Sequence, residues 1–190
     1  VPSVKLQRSG RIAGLFVGTC TGQTKAPVAQ LSLTFDGIDG DAHAGRTRKA
    51  GAREPAFRRG TVVSNNRQLS LVSIEELSEI ASRIGLPRID PGWLAANIAI
   101  EGAGPITQLP AGTIIRASSG ASIYVSELNS PCRRAARLLA EHGGYEGDAS
   151  MFVRHAIGRR GVVGFVYAVG EVEVGDRVEI LLAKQQPAKD

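Results

Sequence analysis

Leu109-Pro-Ala-Gly-Thr-Ile-Ile-Arg-Ala-Ser-Ser-Gly-Ala-Ser-Ile-Tyr-Val-Ser126 is the stretch on which the fold turns. Leu109–Gly112 has the composition of a tight turn. Thr113–Ala117 and Ala121–Ser126 are short apolar runs around Ser118-Ser-Gly120, the pattern of a β-hairpin. Runs this short cannot make helices of useful length, so the segment argues for an antiparallel architecture.

Working outward, the same grammar recurs. Arg11–Gly18 reads as a strand. Val28–Phe35 alternates at Leu31, Leu33 and Phe35, the period of a half-buried strand, and Thr19–Pro27 between them reads as a polar loop. Gln68–Val72, Asn97–Ile100, Gly161–Ala168 and Arg177–Leu182 are further short strands, the last two joined through Glu171–Asp176. Ser73-Ile-Glu-Glu76 is a capping box in front of a helix whose apolar face is Ile74, Leu77, Ile80, Ala81 and Ile84, with Gly85 as terminator. Pro91–Ala96 is a turn or short helix. A second helix is expected from Pro131 to about Glu141, ending near Gly143-Gly144, and a third over Asp148–Ile157 with Asp148 as its cap. About seven short strands, with a few helices that do not alternate regularly with them, predict a mainly β, α+β fold: a distorted antiparallel β-barrel. The 190 residues suit one domain with its core over about 11–182, a long basic loop at 36–60 and a polar tail at 183–190.

Composition narrows the function. The net charge is +5 and most of the cations are Arg, whose planar fork matches phosphate or carboxylate. Either an anionic ligand or a GC-rich genome produces that bias. Residues Val1–Arg11 contain no apolar run of the signal-peptide kind, and no stretch approaches the ~20 apolar residues of a membrane span. The expectation is a cytoplasmic protein without a membrane partner. No Gly-x-Gly-x-x-Gly follows a strand and no Walker-type loop occurs, which argues against those two modes of nucleotide binding.

Ser126-Glu-Leu-Asn-Ser-Pro-Cys-Arg-Arg134 carries the most chemistry. Ser130 is the expected N-cap and Pro131 the first helical residue. Cys132 then falls in the first helical turn, where the helix dipole and the neighbouring Arg133 and Arg134 favour a thiolate. The competing reading is a small buried thiol, and Cys20 is read as such a structural residue. In Asp39-Gly-Asp-Ala-His43, alternate side chains of an extended segment can converge on a cation, but a turn in which Asp bonds its own backbone is the commoner meaning. The arginines of 46–59 either grip phosphates or form a solvated loop. Arg67, Arg154, Arg159 and Arg160 are further cationic candidates; His142 and His155 are read as surface or packing residues.

Several blocks occur in a fixed order: Gly37-Ile-Asp-Gly-Asp-Ala-His-Ala-Gly45, Asn66-Arg-Gln-Leu-Ser-Leu-Val72, Trp93-Leu-Ala-Ala-Asn-Ile-Ala-Ile-Glu-Gly102, Leu109–Thr113, Ser130-Pro-Cys132, Gly161-Val-Val-Gly-Phe-Val166 and Val174–Val178. Over roughly Arg11 to Leu182 the chain resembles the MOSC family, named for the C-terminal domain of molybdenum cofactor sulfurases. The resemblance implies a distorted barrel of the pyruvate-kinase-barrel type and binding of the molybdenum–pterin cofactor. It makes Cys132 the key residue, as a molybdenum ligand in amidoxime-reducing members or a sulfur carrier in sulfurases. Asp41 and Asn97 match family positions. Where the family commonly has Arg, three residues before the cysteine, this chain has Asn129, and Arg133 is the candidate replacement. The pyridoxal-phosphate desulfurase domain of full-length sulfurases is not part of this chain, so no PLP chemistry is expected from it alone.

The leading expectation is therefore a molybdenum-cofactor protein that reduces N-hydroxylated compounds. Cys132 would be the catalytic thiolate and metal ligand, with Asp41, His43, Arg67, Asn97, Arg133 and Arg134 around the anionic pterin and a redox partner supplying electrons. The alternative is a sulfur carrier that forms a Cys132 persulfide and is served by a cysteine desulfurase. A third reading, a barrel that binds anions or nucleic acid through its basic loop, has no aromatic stacking set or nucleic-acid motif behind it.

Overall fold

Residues 5–182 are described by a computed structural model, and the tail at 183–190 lies outside them. In chain order the strands are β1 Lys5–Val17, β2 Ala26–Val28, β3 Gln30–Thr34, β4 Gly37–Ile38, β5 Thr47–Lys49, β6 Val62–Ser64 and β7 Leu69–Ser73. They continue with β8 Ile98–Glu101, β9 Ile114–Ala117, β10 Ser122–Leu128, β11 Val162–Ala168, β12 Gly170–Glu173 and β13 Arg177–Leu182. The helices are α1 Ile74–Arg83, α2 Arg133–Gly143 and α3 Ala149–Ala156, with a 3-10 turn at Pro91–Leu94.

Seven of these strands close into a ring in the order β13-β9-β10-β11-β7-β8-β1, with β1 returning to β13. Closure removes the unpaired edges that an open sheet of this size would leave. The expected hairpin is β9–β10, in register at Ile123↔Ile115. Every neighbour in the ring is antiparallel except β7–β8, which run parallel with Leu71 opposite Ile98. A parallel pair needs a long crossover. Here it is α1 plus the 3-10 turn, so the strict antiparallel expectation is corrected at one pair.

That crossover explains the continuous hydrophobicity of Leu69–Val72 and Ile98–Ile100. Leu71, Ile98 and Ile100 point into the barrel core, whereas Val72 and Ala99 face outward and pack with Leu77, Ile80, Leu139 and Phe152 of the helices. Both faces are dry, as in parallel sheets generally. Phe16 of β1 joins the helical core while Leu15 joins the barrel. None of the described helices is long and apolar enough to cross a membrane.

Four local readings change. The single strand expected at Val28–Phe35 is divided, because β2 pairs with β1 while β3 joins β4 and β12 in a separate sheet. The 36–60 segment is not structureless: it holds β4 and enters the β5–β6 hairpin. The Glu171–Asp176 connection contains most of β12. The capping box at α1 is only half formed. Ser73 Oγ accepts from the Glu76 amide and donates to Glu75, while Glu76 turns inward to accept from the Ile106 and Thr107 amides. Burial pushes the Glu76 carboxyl up, against the hydrogen bonds that favour its charge. Ser73→Ala should still cost about 1 kcal/mol, the usual worth of a cap, as a lower urea midpoint with unchanged slope.

Candidate functional site

Two polar clusters lie around one corner of the ring, where β1, β8 and the loops around them meet the start of α2. The first is built on Asp41, whose side chain is fully buried. Oδ2 accepts from Lys25 Nζ at 2.7 Å, Asn97 Nδ2 at 2.9 Å and the Gly18 amide at 3.2 Å. Oδ1 accepts from the His43 amide at 3.0 Å and lies 3.2 Å from His43 Nδ1. Burial opposes the Asp41 charge, but the hydrogen bonds from His43 and Lys25 and the Lys25 ammonium outweigh it and hold the carboxyl well below the usual range. Burial likewise pushes the Lys25 ammonium down, Asp41 opposing and Arg160 adding to the effect.

Asn97 fixes this carboxylate to the fold. Its amide Nδ2 also donates to Phe16 O, its Oδ1 accepts from the Ser70 amide, and its backbone pairs with both Phe16 and Ser70. One side chain thus ties the ends of β1 and β7 to the loop that carries Asp41. Ala95, two residues earlier, has φ +57, a conformation non-glycine residues rarely hold, and its carbonyl is bound by Ser70 Oγ. The Asp41 turn bonding its own backbone is present. Convergence of Asp39 with Asp41 and His43 is not: Asp39 is exposed, and no metal-holding group of three His, Cys, Asp or Glu occurs among the described residues.

The second cluster is centred on Cys132. Its thiol is exposed, so the buried-thiol reading does not hold, nor does it for Cys20, which is exposed as well. Cys132 is itself the N-cap of α2, extended at φ −141, and its side chain makes no capping bond. Ser130 and Pro131 therefore precede the helix rather than begin it. The cause is tertiary: the Asn129 amide is bound to Gly161 O at 2.9 Å, which keeps the chain extended to residue 132.

Gly161 is held in turn by Thr107 Oγ1, which accepts from its amide at 2.7 Å. Next to it is Arg160, a residue 5 % exposed. Arg160 Nη2 donates to Leu94 O, and Nη1 is buried without a partner among the described residues. Burial pushes this guanidinium down to about 10; Arg53 adds repulsion, and Cys132 acts in the opposite sense.

The other candidates are placed as follows. Arg67 is largely buried and paired with Glu127 at 2.5 Å; burial lowers it, Glu127 opposes, and Arg53 and Arg48 add repulsion. Arg134 lies against the 18–25 loop, close enough that a Cβ on Gly22 would meet Nη1 at 2.8 Å. Arg133 is exposed and acts electrostatically on Asp148 at the start of α3. The cation buried beside the Cys132 segment is thus Arg160 rather than Arg133. Arg48 of the basic run is held by Glu54 at 2.6 Å and by Asn66. His142 is exposed and His155 half-buried. Lys25 was missed in the sequence because one lysine in a polar loop has no periodic signature.

The geometry and the comparisons agree on a class. A model of the MOSC domain matches residues 43–179, and the chain belongs to that family. It is 41% identical over 173 residues to YuaD of Bacillus subtilis (strain 168), a protein named for metal-sulfur cluster biosynthesis, with 90% of each chain covered. The crystal structure of Bacillus subtilis YuaD superposes with TM-score 0.89 at 40% identity, covering 96% of this chain and 100% of that one. YiiM from Geobacillus stearothermophilus (TM-score 0.63, 17% identity, 90% and 74% covered) and from Escherichia coli (0.58, 19%, 92% and 71%) shares the fold.

Proposed function

We propose that this protein carries sulfur on Cys132 in the assembly of a metal–sulfur cofactor. The observation that supports it is an exposed thiol at the N-cap of α2, bound through the Asn129–Gly161 contact to a segment that buries a guanidinium without a carboxylate partner. A carrier needs one reachable sulfur in a positive setting, and helix N-termini and arginines both favour anionic sulfur there. The metal-sulfur name of YuaD leans the same way.

The transfer is an exchange. The Cys132 thiolate attacks the terminal sulfur of a donor persulfide; a new S–S bond forms at Cys132, the donor's S–S bond breaks, and the donor leaves as thiolate. No net oxidation occurs. A second exchange passes the terminal sulfur to an acceptor thiol.

Incubation with a cysteine desulfurase and L-cysteine should leave one extra sulfur on the Cys132 peptide, visible by mass spectrometry and removed by dithiothreitol. Cys132→Ser should show none. An unmodified Cys132 under conditions that charge a known carrier would overturn the reading.

A second reading has its own support. Among the described residues neither Arg53 nor Arg160 pairs with a carboxylate, a surplus that suits a phosphate-bearing ligand. The molybdenum–pterin group associated with MOSC domains is the ligand this reading names: Cys132 would be its soft thiolate donor, and the charges of Arg53 and Arg160 would favour its phosphate. When bound, the metal would supply two-electron oxygen-transfer chemistry. Metal and pterin analysis of protein from a cofactor-producing host separates the readings, with a stoichiometric yield lost in Cys132→Ser favouring this one.

A further inference from the structure

A buried arginine ordinarily has its fork filled, because an ungratified donor in the interior costs more than a hydrogen bond returns. Arg160 departs from this in two respects. Among the described residues its enclosed Nη1 has no hydrogen-bond partner, and no carboxylate pairs with the guanidinium. The one acceptor it has among the described residues is a neutral carbonyl, that of Leu94. Arg53 repels it, Cys132 acts in the opposite sense, and it in turn repels Lys25. The two segments run side by side: Gly161 O receives the Asn129 amide, and Cys132 follows three residues later.

Purely structural duty does not explain this choice of side chain. Holding Leu94 O asks for one donor, which a neutral residue supplies without bringing a charge near Lys25 and Arg53. A guanidinium buried without a balancing carboxylate projects its charge toward the neighbouring thiol and favours an anion there.

We infer that Arg160 is the anion-selecting residue of the Cys132 site, its uncompensated positive charge favouring the negative end of the molecule that reacts at the exposed thiol. In sulfur carriage that end is the terminal sulfur of a persulfide monoanion, and the inference rests on Cys132 being the reacting group. Arg160 is a binding and positioning residue; the bond is made at Cys132 Sγ.

The test uses two alkylating reagents of the same shape, iodoacetate with its carboxylate and neutral iodoacetamide. In both, Cys132 Sγ displaces iodide from the methylene carbon, so the reagents differ only in charge. Peptide mass spectrometry follows Cys132 and the exposed Cys20 in the same tube, Cys20 serving as internal reference. The iodoacetate-to-iodoacetamide rate ratio should be on the order of tenfold higher at Cys132, the size of the attraction of one uncompensated charge close by. Arg160→Gln should reduce the ratio to that of Cys20, and Arg160→Lys should restore part of it. Arg53→Gln should change it less.

Equal ratios at the two cysteines of the wild-type protein overturn the inference without any variant, which keeps the test decisive if Arg160→Gln does not fold. So does an undiminished ratio in a folded Arg160→Gln protein, or a ratio that disappears with Arg53→Gln alone. The assay transfers no sulfur. An anion preference without a sulfur adduct therefore sinks sulfur carriage and leaves Arg160 as the anion site, whereas an adduct without preference does the reverse.

Discussion

Asp41→Ala is expected to destabilise the protein by about 3–5 kcal/mol, the cost of removing one partner from a buried ion pair. Lys25 is 3 % exposed at its side chain and has Asp41 as its carboxylate partner. Without it, an ammonium would be left next to Arg160 in a dry interior, and the Asn97 and Gly18 donors would lose their acceptor. Urea denaturation measures the loss. Replacing the pair together, as Asp41→Leu with Lys25→Met, should recover most of it, since no uncompensated charge remains. A loss below about 1 kcal/mol would mean that water reaches Lys25 and that the cluster is not the hub described here.

The same carboxylate sets the acid limb of stability. Its native pKa lies below the unfolded value, so the folded state gains from Asp41 above about pH 4 and loses that gain as pH falls below it. Asp41→Asn should flatten this limb. A variant as steep as wild type between pH 4 and 2 would place the acid sensitivity elsewhere.

Gly161→Ala should cost about 3 kcal/mol or more, from a left-handed backbone combined with a forced displacement. Its φ is +78, and a Cβ there would sit 1.9 Å from Leu71 O and 3.0 Å from Val72 Cα. These are backbone atoms of β7, the strand whose Leu71 pairs with Val162 at this point, so no rotamer change relieves the clash. Gly85→Ala is the matched control: its φ is +76 but nothing lies within 4 Å of the added carbon. It should cost only the ~1–2 kcal/mol of the left-handed conformation. Similar melting temperatures for the two variants would refute the crowding argument.

What could be read from the chain followed locality. Thr113–Ser126 declares its hairpin because turn chemistry and period-2 patterning are neighbours in sequence, and Ser73 declares the start of α1 for the same reason. The parallel β7–β8 pair was not legible, since Leu69–Val72 reads alike in a buried parallel strand and a barrel stave. Ser130-Pro131 followed a sound rule for helix starts, and a contact made 32 residues away, at Gly161, overrode it. Asn97 came to notice through family resemblance alone; its three-way side-chain bonding is invisible in one dimension. Arg160 looked like one arginine among many, because burial and a missing partner are properties of the folded state.

The pairing of Lys5 with Leu182 has a bearing on biogenesis. Zipping of β1 onto β13 must wait until the final stave has left the ribosome, so the nascent barrel exposes two raw sheet margins until then. Such a chain invites strand exchange between copies and favours rapid shielding by a chaperone. Once the hoop locks, neither margin survives to template aggregation.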